Sequence, residues 1–126
     1  MLEPKRVESN VTPQKFVNLG NGNWYYNYDI KSEVVSVPRM GNEEETITET
    51  RWNYIQIKLG SKPEYKKCVE TLIREYITQS QEFDLINTAN RVLLNVGTEK
   101  MVPSEYLEYL DLVDEIKAKV KADFGM

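Results

Sequence analysis

Apolar and polar residues alternate in two runs in the first half of the chain, and the period then changes. Trp24, Tyr26, Tyr28 and Ile30 share one parity; Tyr25, Asn27, Asp29, Lys31 and Glu33 share the other. A period of two in β-favouring residue types predicts a strand. Arg51-Trp52-Asn53-Tyr54-Ile55-Gln56-Ile57 repeats the pattern, so the pair predicts a long hairpin over about 24–59. Each run changes parity along its length. Val35 and Val37 leave the parity of the tyrosines, which predicts either a bulge near 32–34 or a stretch covered on both faces. In the second run Trp52 and Tyr54 oppose Ile55, Ile57 and Leu59. Pro38 lacks an amide donor and predicts a strand end or an edge.

Upstream, residues 1–20 carry Pro4 and Pro13 with scattered apolar residues and read as an extended N-terminal arm, anchored by Phe16, Val17 and Leu19. Gly20 and Gly22 among asparagines are turn chemistry that places the start of the first strand just beyond. Residues 40–45, with Gly41-Asn42 and three consecutive glutamates, read as a solvated loop tip, because a calcium loop needs spaced oxygen ligands.

After Leu59 the spacing becomes helical. Tyr65, Cys68, Val69, Leu72, Ile73, Tyr76 and Ile77 form one face of a helix over about 63–78, with Ser61 as its expected cap. Phe83, Ile86, Ala89, Asn90 and Leu93, broadened by Leu85, Val92 and Leu94, predict a second helix over about 81–95, capped by Ser80 and stopped by Gly97. The width of that stripe predicts burial on more than one side. Residues 98–102 read as a link. Tyr106, Tyr109, Leu110, Val113, Ile116, Val120 and Phe124 predict a third helix over about 103–124, with acids early and lysines late as the helix dipole favours. The expected fold is α+β: an N-terminal β-hairpin followed by three α-helices packed on one face, in a single domain over 21–125. The first and third helices are expected to pack on each other.

A chain of 126 residues suits one domain that buries about two-thirds of its unfolded surface. A hydrophobic share of 40% and a charged share of 29% fit a globular protein, and no run approaches the roughly 20 apolar residues of a spanning helix. The first residues lack the apolar core of a secretory leader. On that expectation the Asn10-Val11-Thr12 sequon reads as chance, and one cysteine, Cys68, suits a reducing compartment. The net charge of −4 opposes attraction to phosphate backbones, so nucleic acid is disfavoured as a partner.

The sequence has no histidine. That removes the commonest metal ligand and excludes histidine-dependent nucleophiles, so no catalytic, metal or cofactor residues are expected. Carboxylates are the remaining catalytic option, with Asp29 and Glu33 or Glu82 and Asp84 as pairs, but paired acids must sit in one cleft to work. Cys68 lies on an apolar stripe and reads as a buried small hydrophobe. The candidate contact residues are Trp24, Tyr26, Tyr28, Trp52 and Tyr54. They either pair across strands, serve as an interface, or stack on the rings of carbohydrate or nucleobases, and neutral sugar does not require the basic groove that this acidic hairpin lacks.

Three segments, Tyr65-Lys66-Lys67-Cys68-Val69-Glu70-Thr71-Leu72-Ile73-Arg74-Glu75-Tyr76-Ile77, Ser80-Gln81-Glu82-Phe83-Asp84-Leu85-Ile86-Asn87 and Tyr106-Leu107-Glu108-Tyr109, together with Trp24-Tyr25-Tyr26-Asn27-Tyr28-Asp29-Ile30, resemble small phage and prophage proteins of gut Bacteroides-type bacteria. The resemblance implies an accessory or structural component near the tail region, working in the bacterial cytoplasm or within a virion, and brings no catalytic residues. A two-stranded ribbon is marginal alone and its edges attract strands. The sequence therefore points to a non-enzymatic assembly module with a protein partner or as a homo-oligomer, away from membranes.

Overall fold

The structure, a computed structural model, describes residues 1–39, 41–97 and 101–126. The chain divides into two compact units, a sheet of Lys5–Pro63 and a helical unit of Met1–Pro4 with Glu64–Met126.

The sheet is antiparallel and four-stranded, with β1 (Val7–Ser9), β2 (Phe16–Gly20), β3 (Asn23–Arg39) and β4 (Asn42–Leu59) in the order β1-β4-β3-β2. It is more than the expected hairpin, because both short strands come from the segment read as an extended arm. Their signal was weak because three- and five-residue strands are too short to show a period. β2 turns into β3 through Asn21 and Gly22, with φ of 52° and 79°, the positive pair that a two-residue hairpin turn requires. Asn27 fixes the entry to β2. Its amide group donates to the Gln14 carbonyl at 2.7 Å, its backbone N–H donates to the Lys15 carbonyl at 2.8 Å, and Gln56 Nε2 donates to its side-chain oxygen at 3.1 Å. That buried amide is thereby paired on both its donor and acceptor sides.

The two long strands pair Trp24 with Leu59, Tyr26 with Ile57 and Tyr28 with Ile55, then resume one step out of phase with Lys31 opposite Asn53. Asp29 and Ile30 thus share one position on β4, a β-bulge. It lies earlier than the expected 32–34, and it is carried by β3 alone. Asp29 has φ of 53°, a left-handed conformation that Asp tolerates better than most residues. Arg6 holds it. Its Nη1 donates to Asp29 Oδ2 at 3.1 Å, Nη2 donates to the Asp29 carbonyl at 2.6 Å and to the Asn53 carbonyl at 3.2 Å, and Nε donates to Asn53 Oδ1. One guanidinium therefore ties both sides of the bulge together. Beyond it, β4 begins at Asn42, so the glutamate run read as a loop tip belongs to a strand; Met40, within that expected tip, lies outside the described residues.

The helical unit contains α1 (Tyr65–Tyr76), α2 (Gln79–Leu93) and α3 (Ser104–Asp123). Two caps differ from those expected. Glu64, extended and without a side-chain bond, precedes α1 in place of Ser61. Thr78 caps α2 in place of Ser80, through a reciprocal box with Gln81 that satisfies two orphan amides. α2 ends before Gly97, at a left-handed Asn95 with φ of 56°, because Asn is the commonest substitute for Gly there. The expected link after it falls partly on 98–100, outside the described residues. Cys68, Leu72, Ile77, Ala89, Ile116 and Val120 are fully buried, and α3 packs on both α1 and α2. The first residues join this unit, with the Leu2 N–H donating to the Tyr76 carbonyl at 2.7 Å.

Replacing Arg6 with Ala removes its bonds to the bulge carbonyls and leaves the Asp29 carboxylate with Lys31 at 3.6 Å, and should lower stability by about 1–3 kcal/mol in urea denaturation. Asp29→Gly should be less damaging than Asp29→Ala by about 1 kcal/mol, because both lose the carboxylate but only glycine accepts the positive φ freely.

Candidate functional site

The register decides what the long strands can present. In an antiparallel pair, residues directly opposite one another share a face. At the base, Trp24, Tyr26 and Tyr28 lie with Leu59, Ile57 and Ile55. Strand alternation puts Trp52 and Tyr54 on the other face. The five candidate rings are therefore split between two faces and form no single platform. Tyr26, Tyr28 and Tyr54 are 0%, 1% and 8% exposed, and Phe16 stacks on Tyr26 with ring centres 5.0 Å apart. Those three rings are interior groups, unavailable to a ligand at the surface; Trp24 and Trp52 are half-buried.

Beyond the bulge the picture reverses. β1 ends opposite Trp52 and β2 ends its pairing with β3 at Tyr26, so β3 and β4 continue as a two-stranded arm, roughly 30 Å long at about 3.3 Å per residue. No described residue from 31 to 51 is buried, and no described strand pairs with either outer edge. A ribbon of this kind is held by its ladder and by cross-strand pairs worth about 0.2–1 kcal/mol each. Here these include Glu33 opposite Arg51, Val37 opposite Ile47, and Arg39 with Glu45 at 2.9 Å.

Because of the bulge, the faces of the arm are chemically distinct. One carries Lys31, Glu33, Val35, Val37 and Arg39 with Ile47, Glu49, Arg51 and Asn53. The opposite face pairs Ser32 with Trp52, Val34 with Thr50, Ser36 with Thr48 and Pro38 with Thr46, and holds no charge over that regularly paired stretch; nearer the tip, past a second register shift after Pro38, Glu44 has the parity of Thr46. Val34, on that uncharged face, is 70% exposed. Water gives a free ribbon no reason to separate its charges in this way. Surfaces that dock against another molecule gain from it, because no charge must then be desolvated.

Chemistry in the helical unit is internally satisfied. Glu82, buried on α2, accepts from Arg74 Nη2 at 2.8 Å and from the Tyr109 hydroxyl at 2.5 Å. Burial pushes its carboxyl upward, but these two donors outweigh it and hold it below the usual carboxylate range. Tyr109 is pushed up to about 12 by burial and by the carboxylate it donates to. A groove of about 670 Å³ opens beside Arg74 and Glu82, yet Asp84 is exposed while Glu82 is buried, so this optional acid pair is not brought together. Asp29 is likewise tied to Arg6, with Glu33 out on the arm opposite Arg51. Cys68 is buried and its thiol is pushed up to about 11, chiefly by that burial, which suppresses the reactive thiolate. The broad stripe of α2 is not covered as expected, since Phe83 is 53% exposed and Leu93 73%.

Among the described residues, no cluster of three or more metal-ligating side chains occurs, and no helix is long and apolar enough to cross a membrane. Compared with known proteins, the chain matches no family model, no curated protein and no solved structure.

Raised Tyr109 and Cys68 values mean stability that is complete below their unfolded values of 10.0 and 9.0 and is lost as pH rises towards 12 and 11 respectively. The depressed Glu82 acts oppositely, stabilising above the usual carboxylate range and losing its effect as pH falls through its folded value. Melting followed from pH 8 to 12 should show the alkaline loss, and Tyr109→Phe should reduce the part between 10 and 12.

Proposed function

We propose that this chain is a non-enzymatic protein-interaction module that takes part in an assembly, and that the arm of β3 and β4 is its contact surface. The observation that carries this reading is the separation of charge between the faces along the regularly paired stretch of a ribbon whose edges pair with no described strand. An open, two-stranded edge is a template for association, which proteins normally shorten or cover. This one is long and extends beyond both of its flanking strands. Exposed apolar side chains on α2 and after it, among them Phe83, Leu93, Leu94 and Val96, give a second region with the character of a contact surface.

The ring-stacking reading has less support, because three of its five rings are interior groups. The setting we propose, an accessory or structural role in a phage or prophage tail region, rests on the sequence resemblance alone.

Joining Val34 to Thr50 through an Asn-Gly turn would remove the arm at a directly opposed pair and leave the base of the sheet intact. Association of the native chain, with itself or with another protein, should disappear in this shortened variant while its melting temperature stays close to native. Light scattering and affinity capture compared for the two proteins test this. Monomeric behaviour of both, the native chain as a particle of 14.7 kDa and neither retaining a partner, contradicts the proposal.

A further inference from the structure

The two edges of the arm are unequal, and the geometry points to β4 as an acceptor for an extended, basic strand from another polypeptide. This inference rests on the arm being the contact surface. On the β3 side, Pro38 interrupts the row of donors, since proline is tolerated in sheets where its nitrogen faces an open edge. β4 contains no proline from Asn42 to Leu59. Its edge is already used once, by β1, which pairs with it only from Val7 to Ser9. There the chain is turned aside by the side chain of Ser9, which donates to the Val11 carbonyl at 2.9 Å and accepts the Val11 N–H at 3.1 Å. A groove of about 420 Å³ lined by Glu8, Ser9, Asn10, Glu49 and Arg51 opens where β1 leaves. A strand entering at this groove would continue the line of β1 along β4, antiparallel to it, and add main-chain hydrogen bonds to an edge that no described strand occupies.

Charge selects the occupant. Between 44 and 51 β4 carries Glu44, Glu45 and Glu49 against Arg51, whereas β3 between 31 and 39 carries Lys31 and Arg39 against Glu33. Glu45 is paired to Arg39 at 2.9 Å and Glu49 to Arg51 at 3.5 Å, so an incoming cation would share these carboxylates. A second copy offering its own β4 is disfavoured, because antiparallel pairing centred on Ile47 would set Glu45 opposite Glu49 twice. Glu45, Ile47 and Glu49 share the charged face at alternate positions. The incoming strand would therefore carry Lys or Arg, any residue, an aliphatic, any residue, then Lys or Arg. The two intervening positions would lie beside Thr46 and Thr48, where small or β-branched residues fit.

The probe is a peptide built around Lys-Thr-Val-Thr-Lys, titrated into the isotope-labelled full chain and followed by amide NMR. Three controls accompany it: the same peptide N-methylated along one edge, a glutamate-for-lysine version, and the double variant Glu45→Gln, Glu49→Gln. The expected result is saturable shifts concentrated in 42–51. N-methylation and the glutamate version should each weaken binding about tenfold or more, equivalent to about 1.4 kcal/mol, and the double variant should weaken it severalfold. Equal binding of the N-methylated peptide would mean charge attraction without strand addition, and overturns the inference. Shifts confined to 31–39 overturn it too. If no peptide binds yet shortening the arm still abolishes association, the arm remains the contact surface and the strand-acceptor inference falls. If neither effect is seen, both fall.

Discussion

The guanidinium of Arg6 sets the character of the whole sheet. By bonding the carboxylate and carbonyl of Asp29 and both oxygens of Asn53, it stabilises a positive φ that costs roughly 1–2 kcal/mol elsewhere. The one-residue slip that results exchanges the faces of everything beyond it. With the slip, the charged residues between Lys31 and Pro38 and their partners on β4 fall on one side, and serine, threonine, Val34, Pro38 and Trp52 on the other. Without it, Glu33 would lie opposite Thr50 and Glu45 would share a face with Pro38, so both sides would carry charge. The amphipathic arm is thus a consequence of a single bulge and the arginine that holds it.

The same event explains the change in burial along β3. Before the bulge, tyrosines oppose isoleucines and are withdrawn from water; after it, no described side chain is buried. The base has neighbours on both edges, whereas the arm has its own cross-strand pairs and backbone ladder. The helical unit shows the opposite economy, with the one buried carboxylate among its described residues occupied by Arg74 and Tyr109. Function is therefore better sought on the open ribbon than in that closed network.

Much of this was legible in the residues. Period-two runs located the long strands, three-four spacing located the helices, and the parity change at Val35 pointed to a bulge or to burial on both faces. Its position was not readable, because Asp29 and Ile30 keep the alternation of β3 until the partner strand is known, and Arg6 is remote in sequence. β1 and β2 escaped notice for want of length. The tyrosines were conspicuous as contact residues, but β-favouring aromatics serve interiors and surfaces alike, and only the register showed that the rings of Trp24, Tyr26 and Tyr28 face away from those of Trp52 and Tyr54. The segregation of arm charges was present in the sequence as alternation, yet it could be seen only after the slip was placed.

Cross-strand nuclear Overhauser contacts along the arm test the central claim most directly. The bulged register predicts Val35 against Glu49 and Val37 against Ile47. Contacts of Val35 with Thr48 and of Val37 with Thr46 would show strands paired without the slip, and would contradict the account.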